Sequence, residues 1–327
     1  MKTIKLDKNR TIMKRILSTI CCTLVACHVS LAQTISPTAT PYLTQTPAGE
    51  AMKANTFKLI WHDEFDGSGS FDNTKWQSET GFVRNEEDQW YQADNAFRDR
   101  GLLVLEGRID SIPNPGYRPH NEQGEGRGNR RRGGGDWRSR RPYAHYSSGS
   151  INTRKSFSFL YGVMEVRARI PAVDGSWPAI WTLGTKREWP SNGECDIMEF
   201  YHIQGVPHIL ANAAWGNDQH YQAVWNTKRV PYQHFLDKDA GWGEKFHIWT
   251  MDWTPEYIRI YLDGELLNDI DLSKTINGSV GEHDNPFHAP QYILLNLAIG
   301  GQNGGHIQPD AFPMRYEVDY VRVWQRK

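Results

Sequence analysis

Gly193-Glu194-Cys195-Asp196-Ile197-Met198-Glu199-Phe200 sets three carboxylates within six residues, interleaved with Cys195, Ile197 and Met198. Acidic and apolar residues alternating over so short a run predict a β-strand with one wet face and one buried face. Period-two geometry points Glu194 and Asp196 the same way and turns Cys195 and Ile197 into the protein. Glu199 has the wrong parity for the wet face. One extra residue at Ile197–Met198, a β-bulge, returns it to the side of the other two acids, and bulges are favoured next to active sites.

With that bulge Glu194 and Glu199 stand effectively four strand positions apart, about 13 Å between Cα atoms. Glutamate side chains leaning together close most of the gap, toward the about 5–5.5 Å carboxyl separation of a retaining glycosidase and away from the wider spacing that admits a water. Asp196 lies between them. Three like charges so near cannot all ionise easily, so at least one carboxyl keeps its proton near neutral pH. One ionised nucleophile beside one protonated acid is what cleavage of a glycosidic bond needs. Two other readings share the pattern: a solvated strand face, and a carboxylate site for calcium or magnesium. The aromatic residues around the acids tip the balance toward a sugar cleft.

The chain of 327 residues carries a net charge of −1, which implies no nucleic-acid or membrane partner from bulk charge. Its 13 Trp and 14 Tyr exceed what a core needs, and flat aromatic rings suit the C–H faces of sugars. Gly175-Ser176-Trp177-Pro178-Ala179-Ile180-Trp181 precedes the acidic strand with Trp177 and Trp181 on one parity, and Asn85-Glu86-Glu87-Asp88-Gln89-Trp90-Tyr91 lies upstream in a loop.

Residues 1–32 read as an export signal, with Lys14-Arg15 before an apolar run, Ile16 to Ala26, that is too short to span a membrane. Ser30-Leu31-Ala32 before Gln33 suits a signal peptidase, whereas Leu24-Val25-Ala26-Cys27 resembles a lipobox and makes Cys27 a candidate lipid anchor. Secretion, or another extracytoplasmic location at the periplasm or cell surface, is the expectation. Cys21, Cys22 and Cys27 fall in this segment, which leaves Cys195 without a disulfide partner in the body. Residues 33–56, rich in Thr and Pro, read as a flexible linker. A catalytic β-sandwich domain is expected over residues 57–327.

Within it short alternating strands recur: Leu102 to Ile109, Tyr161 to Ile170, Phe246 to Trp253, Tyr257 to Leu262, Tyr292 to Ile299 and Tyr316 to Trp324, with Asp263-Gly264 at a hairpin turn. The expected fold is all-β, a jelly-roll sandwich of two antiparallel sheets with a concave substrate cleft. Residues 113–141 interrupt the pattern as an Arg/Gly-rich loop insertion. Its eight arginines, from Arg118 to Arg141, face only Glu122, Glu125 and Asp136. It reads as a solvated excursion or as an arm for an anionic polymer, since guanidinium forks pair with sulfate, phosphate or carboxylate.

The run Glu194-Cys195-Asp196-Ile197-Met198-Glu199 resembles the glutamate-x-aspartate-x-x-glutamate signature of glycoside hydrolase family 16, in its bulged, laminarinase-like (endo-β-1,3-glucanase) form. Trp61-His62-Asp63-Glu64-Phe65, Trp177-Pro178-Ala179-Ile180-Trp181, Asp252-Trp253-Thr254-Pro255, Leu295-Asn296-Leu297-Ala298-Ile299-Gly300-Gly301 and Val318-Asp319-Tyr320-Val321-Arg322-Val323-Trp324 resemble its other landmarks. The resemblance implies an endo-acting, retaining hydrolase of β-1,3 or mixed β-1,3/1,4 glucan. Glu194 then corresponds to the nucleophile, Glu199 to the acid/base and Asp196 to their electrostatic partner. Trp177, Trp181, Trp90 and Trp215 become candidate sugar contacts, with Asn85 and Gln302 as polar contacts. Asp319 is similar in position to a ligand of a structural calcium in some members; catalysis itself calls for no cofactor. The expected partner is a polysaccharide, and the expected state a monomer. Departures at Glu86 and Ala214 leave a sulfated or otherwise substituted β-galactan open as the substrate. A non-catalytic carbohydrate-binding protein on the same fold, or a transglycosylase, are the rival functions.

Overall fold

The computed structural model describes residues 56–119 and 136–327. The expected export signal, Cys27, nearly all of the linker and the centre of the Arg/Gly-rich insertion lie outside the described residues. The strands in chain order are β1 (Phe57–Asp63), β2 (Gly69–Ser70), β3 (Gln77–Ser78), β4 (Gln89–Tyr91), β5 (Ala96–Asp99), β6 (Leu102–Pro113), β7 (Tyr143–Ser148), β8 (Ser150–Asn152) and β9 (Gly162–Arg169). They continue as β10 (Ser176–Gly184), β11 (Glu194–Ile203), β12 (Val206–Gly216), β13 (Ala223–Pro231), β14 (His247–Trp253), β15 (Tyr257–Leu262), β16 (Glu265–Asp271), β17 (Gln291–Ile299) and β18 (Met314–Arg326).

Two sheets result. A seven-stranded sheet runs β13-β12-β11-β10-β17-β8-β3, and an eleven-stranded sheet is built on β16-β15-β14-β9-β18-β6-β5-β2, joined at its flank by β1, β4 and β7. Their strands pair antiparallel, as the alternating patterns predict, with one exception among the described residues: β4 runs parallel to β7. At the β15–β16 hairpin Asp263 and Gly264 both hold left-handed backbone, φ 48° and 83°, the conformation a two-residue hairpin turn requires.

The core is the layer between the sheets. The seven-stranded sheet contributes Ile180, Cys195, Ile197, Met198, Phe200, Ile209, Leu295 and Leu297. The other sheet answers with Met164, Val166, Trp249, Met251, Val321 and Val323. Alternation thus leaves the opposite face of the seven-stranded sheet for function.

The Arg/Gly-rich insertion is the connection of a hairpin, since β6 continues to Pro113 and pairs with β7 at Pro113↔Tyr143. Its root is fastened: Asn114 Nδ2 donates to the carbonyls of Arg138 and Arg141, 2.7 Å each.

Candidate active site

β11 carries the expected bulge. Against β10, Met198 pairs with Ile180 and Asp196 with Trp181, which leaves Ile197 as the extra residue. Against β12 the register slips between Asp196↔Asn212 and Glu199↔Leu210. Ile197 and Met198 are consecutive yet both fully buried in the core. A straight strand would instead drive Glu199 inward and expel a residue behind it. Full burial of one Ile or Met contributes about 1.5–3 kcal/mol, and an unpaired buried carboxylate costs more than that. The kink is therefore held by core packing, and it delivers Glu194, Asp196 and Glu199 to one face.

Cross-strand pairs share a face, so the neighbours of each acid follow from register. Glu194 stands in a row with Tyr292, Leu183, Ala214 and Trp225; Asp196 with Leu294, Trp181, Asn212 and Thr227; Glu199 with Asn296, Ala179, Leu210 and Arg229. Asn212 Nδ2 bridges two of the acids, 3.1 Å from Asp196 Oδ2 and 2.8 Å from Glu199 Oε2. Trp177 Nε1 donates to Glu199 Oε1 at 2.9 Å, and Trp189 Nε1 donates to Glu194 Oε2 at 2.8 Å.

These partners are neutral, and the acids feel one another. Burial, then the charge of Glu199, pushes Glu194 up to about 7, against the hydrogen bond from Trp189 and the charge of Arg84. Burial also lifts Glu199 to about 7, opposed by Trp177, Asn212 and Asp196. Asp196 goes well above the carboxylate range through burial and the two glutamate charges. Near neutral pH the trio therefore retains protons, and its titration belongs to the cluster rather than to one residue.

The other expected contacts divide. Trp177 and Trp181 reach the site but are only 6 % and 8 % exposed, and Trp181 donates its Nε1 proton to Asn296 Oδ1 at 2.7 Å. Both indoles thus act as hydrogen-bond donors in the floor of the site. Asn85 is exposed at the rim, its carbonyl accepting from Gln302 N at 3.1 Å, and the Gln302 side chain is exposed beside it. This junction requires glycines. Gly300 and Gly301 have φ of 62° and 67°, and a Cβ on them would meet Asp88 Oδ2 at 2.1 Å and Glu87 Cα at 2.8 Å.

Three expectations are corrected. Trp215 belongs to the core between the sheets, because on β12 it alternates with Asn212 and Ala214, which face the acids. Trp90 lies between the buried Gln89 and Tyr91 on β4 and packs edge-on against Phe82, 5.5 Å between centroids, on the opposite side of the strand from Tyr91, whose hydroxyl is bonded to Asn296. The Asp319 carboxylate is taken by Arg167 Nη1 at 2.5 Å. Burial pushes its pKa up while Arg167 opposes that. An arginine stands where calcium would need an anionic donor set, so the residues do not fit the metal. No group of three or more metal-ligating side chains occurs among the described residues.

Sequence reasoning missed Asn212, Trp189 and Arg84. Period-two counting along Ala211-Asn212-Ala213 could have found Asn212. Trp189 sits in an aperiodic turn that offers no such signal. Two exposed aromatics stand by Glu194: Trp189, 38 % exposed and bonded to it, and Trp225, 46 % exposed and in its cross-strand row.

The sequence matches the model of the family described as glycosyl hydrolases family 16 over residues 138–322. A β-glucanase from Rhodothermus marinus is 32 % identical, the alignment covering 84 % of this chain and 87 % of that one. A keratan-sulfate endo-1,4-β-galactosidase from Sphingobacterium multivorum is 30 % identical over 82 % of this chain, which spans 55 % of that protein. Among solved structures, one from a study of endo-acting O-glycanases of the human gut microbiota that initiate mucin breakdown superposes with a TM-score of 0.70 at 31 % identity, over 83 % and 92 % of the two chains. SCLam, a non-specific endo-β-1,3(4)-glucanase, gives 0.63 at 31 % identity over the same shares.

Proposed function

This chain belongs to glycosyl hydrolase family 16, and from that premise we propose that it is a retaining endo-β-glycanase cutting internal β-1,3 or mixed β-1,3/1,4 glucan linkages. One observation carries the reading: a single bulge brings Glu194, Asp196 and Glu199 to the same face, with Asn212 bonded to two of them.

In this mechanism the ionised Glu194 carboxylate attacks the anomeric carbon while Glu199 gives its proton to the glycosidic oxygen, and the leaving chain departs as an alcohol. Glu199, now a carboxylate, takes a proton from water. The water oxygen attacks the same carbon and frees Glu194. Trp177 and Asn212 orient Glu199, and Trp189 stabilises the Glu194 carboxylate. Asp196, its pKa pushed well up by burial and by both glutamate charges, stands between them on the same strand face. It can follow the charge as that passes from one to the other. The exposed rings of Trp189 and Trp225 are the sugar platforms of this reading. Activity should be bell-shaped in pH, since it needs Glu194 without its proton and Glu199 with one.

The reading of residues 1–32 as an export signal supports work on external polysaccharide, by a protein either released or held by lipid at Cys27; the proposed state is a monomer. No helix among the described residues is long and apolar enough to cross a membrane. The kinship with the keratan-sulfate endo-1,4-β-galactosidase supports a second substrate reading, a β-galactan cut by the same trio.

Reducing-end release from laminarin, lichenan, agarose, porphyran, carrageenan and keratan sulfate separates these substrates. Glu194→Gln and Glu199→Gln should each lower the rate by about 10²–10⁴ while polysaccharide binding persists. In Glu194→Ala and Glu199→Ala, azide rescue should yield glycosyl azides of opposite anomeric configuration. An unchanged rate in either glutamine variant removes the assignment.

A further inference from the structure

The two glutamates fix the lane that a polymer takes. They stand on one strand and must flank the scissile bond, one at the anomeric carbon and one at the leaving oxygen, so the chain crosses the strands between their rows. On the β12 side each row can be followed to the edge of the sheet. The row of Glu194 runs through Ala214 to Trp225, that of Asp196 through Asn212 to Thr227, and that of Glu199 through Leu210 to Arg229. β13 is the edge strand. A chain leaving over it passes between Trp225 and Arg229, four strand positions or about 13 Å apart. Val230, the next residue, packs against the core between the sheets, which turns Arg229 to the side of the acids. Arg229 is exposed. Arginines elsewhere on the sheets are matched to carboxylates, as Arg167, Arg169, Arg259 and Arg322 are. Among the described residues the Arg229 guanidinium has neither a hydrogen-bond acceptor nor an ion-pair partner. Charge on an edge strand also deters pairing with other chains, but Lys228 supplies that from the other face, opposite the core residue Ala211.

We propose that Arg229 is a specificity-determining residue that grips an anionic substituent, a sulfate or a carboxylate, on the sugars of a β-glycan lying over β13 beyond the bond that is cut. This rests on the reading of the trio as a glycanase centre. A guanidinium fork pairs bidentately with such oxygens. The acid in its own row, Glu199, stands two strand spacings away, about 10 Å between Cα atoms, so the charge of Arg229 is left for a ligand. Across the lane the exposed Trp225 ring offers an apolar surface to the face of a sugar. The residues between them and the acids, Ala214, Leu210 and Thr227, carry no charge. A negatively charged polymer entering a cleft floored by three carboxyl groups needs a cation along its path, and Arg229 stands where the path leaves the sheet.

The test measures kcat/KM for the wild type, Arg229→Met, Arg229→Gln and Lys228→Met on the best-cut polysaccharide of the panel, prepared neutral, sulfated and carboxylated. The wild type should favour at least one anionic form over the neutral one, and which form it favours separates sulfate from carboxylate. Both Arg229 variants should lose about 3- to 10-fold on that form, the scale of an exposed charge-assisted contact, and keep their rate on the neutral form. Lys228→Met should behave as the wild type. High salt should shrink the wild-type preference toward that of Arg229→Met. Equal losses on neutral and anionic forms would make Arg229 a general sugar contact, an equal loss in Lys228→Met would reduce the effect to diffuse charge on the edge, and a wild type with no anionic preference would leave the contact without a ligand; each overturns the proposal. Affinity electrophoresis through gels holding keratan sulfate or carrageenan, in the Glu194→Gln protein with and without Arg229→Met, reads binding without turnover. Retardation that disappears with Arg229→Met, in a protein whose wild type cleaves no polysaccharide, leaves the Arg229 site standing and rejects the glycanase reading. Cleavage by the wild type with retardation unaltered by Arg229→Met rejects Arg229 alone.

Discussion

The two sheets treat carboxylates in opposite ways. On the eleven-stranded sheet and its edge four acids meet arginines, Glu64 with Arg322, Asp319 with Arg167, Glu317 with Arg169 and Glu106 with Arg108, while Glu165 and Asp252 accept from the hydroxyls of Tyr320 and Tyr257. On the open face of the seven-stranded sheet Glu194, Asp196 and Glu199 meet indoles, a carboxamide and one another. The first arrangement quenches charge and holds strands in place. The second leaves protons shared among acids at neutral pH, a state useful for moving them. What separates the trio from those pairs is the company of two further acids with neutral donors in place of a guanidinium.

Breaking a pair on the quenched side should hurt folding and spare chemistry. Arg322 is 1 % exposed and donates to both Glu64 oxygens, at 2.9 and 2.7 Å. Arg322→Met should lower unfolding free energy by about 3 kcal/mol in urea titration, with kcat/KM unchanged at temperatures where the protein stays folded. On the reactive side the order reverses. Asn212→Leu removes a donor from Asp196 and Glu199, and a hydrogen bond to a charged group is worth about 1.5–3 kcal/mol. Activity should fall by about 10- to 100-fold, with little change in melting temperature.

The smallest effect concerns stability and pH. The trio's acids have pKa values raised on folding, so between about 4, their range in the unfolded chain, and about 7, to which burial lifts the two glutamates, the native state binds more protons. Stability contributed by this cluster therefore falls as pH rises through that window. Asp196→Asn removes a member that burial and the two glutamate charges lift well above its ordinary range. Its melting temperature relative to wild type should be higher at pH 8 than at pH 4.5, and a difference independent of pH would mean that Asp196 is ionised in the native protein.

Much of this was legible in the chain. The strand that opens the trio, the parity fault at Glu199 and the bulge that repairs it all follow from period-two counting, as does the turn at Asp263-Gly264. The same counting, applied past Asn212, would have assigned Trp215 to the core; abundance of Trp was mistaken for exposure. Trp90 failed for a related reason, since its neighbours Gln89 and Tyr91 take the inward positions. What could not be read was long-range. Arg84 meets Trp181 only because the loop bearing it folds over β10 and β17, and the Trp189 bond to Glu194 spans a turn with no periodicity.

The root of the Arg/Gly-rich connection reaches that same loop. Arg138 donates to the carbonyls of Phe82 and Val83, and Arg141 to those of Glu86 and Glu87 at 3.0 and 2.9 Å. A surface excursion, the kind of segment that tolerates insertion and deletion, is thus geared to the wall that shapes the approach to the acids. Aperture and chemistry are adjustable by separate parts of the chain: lengthening one hairpin can re-gauge which polymer enters without a single change to the strand that cuts it.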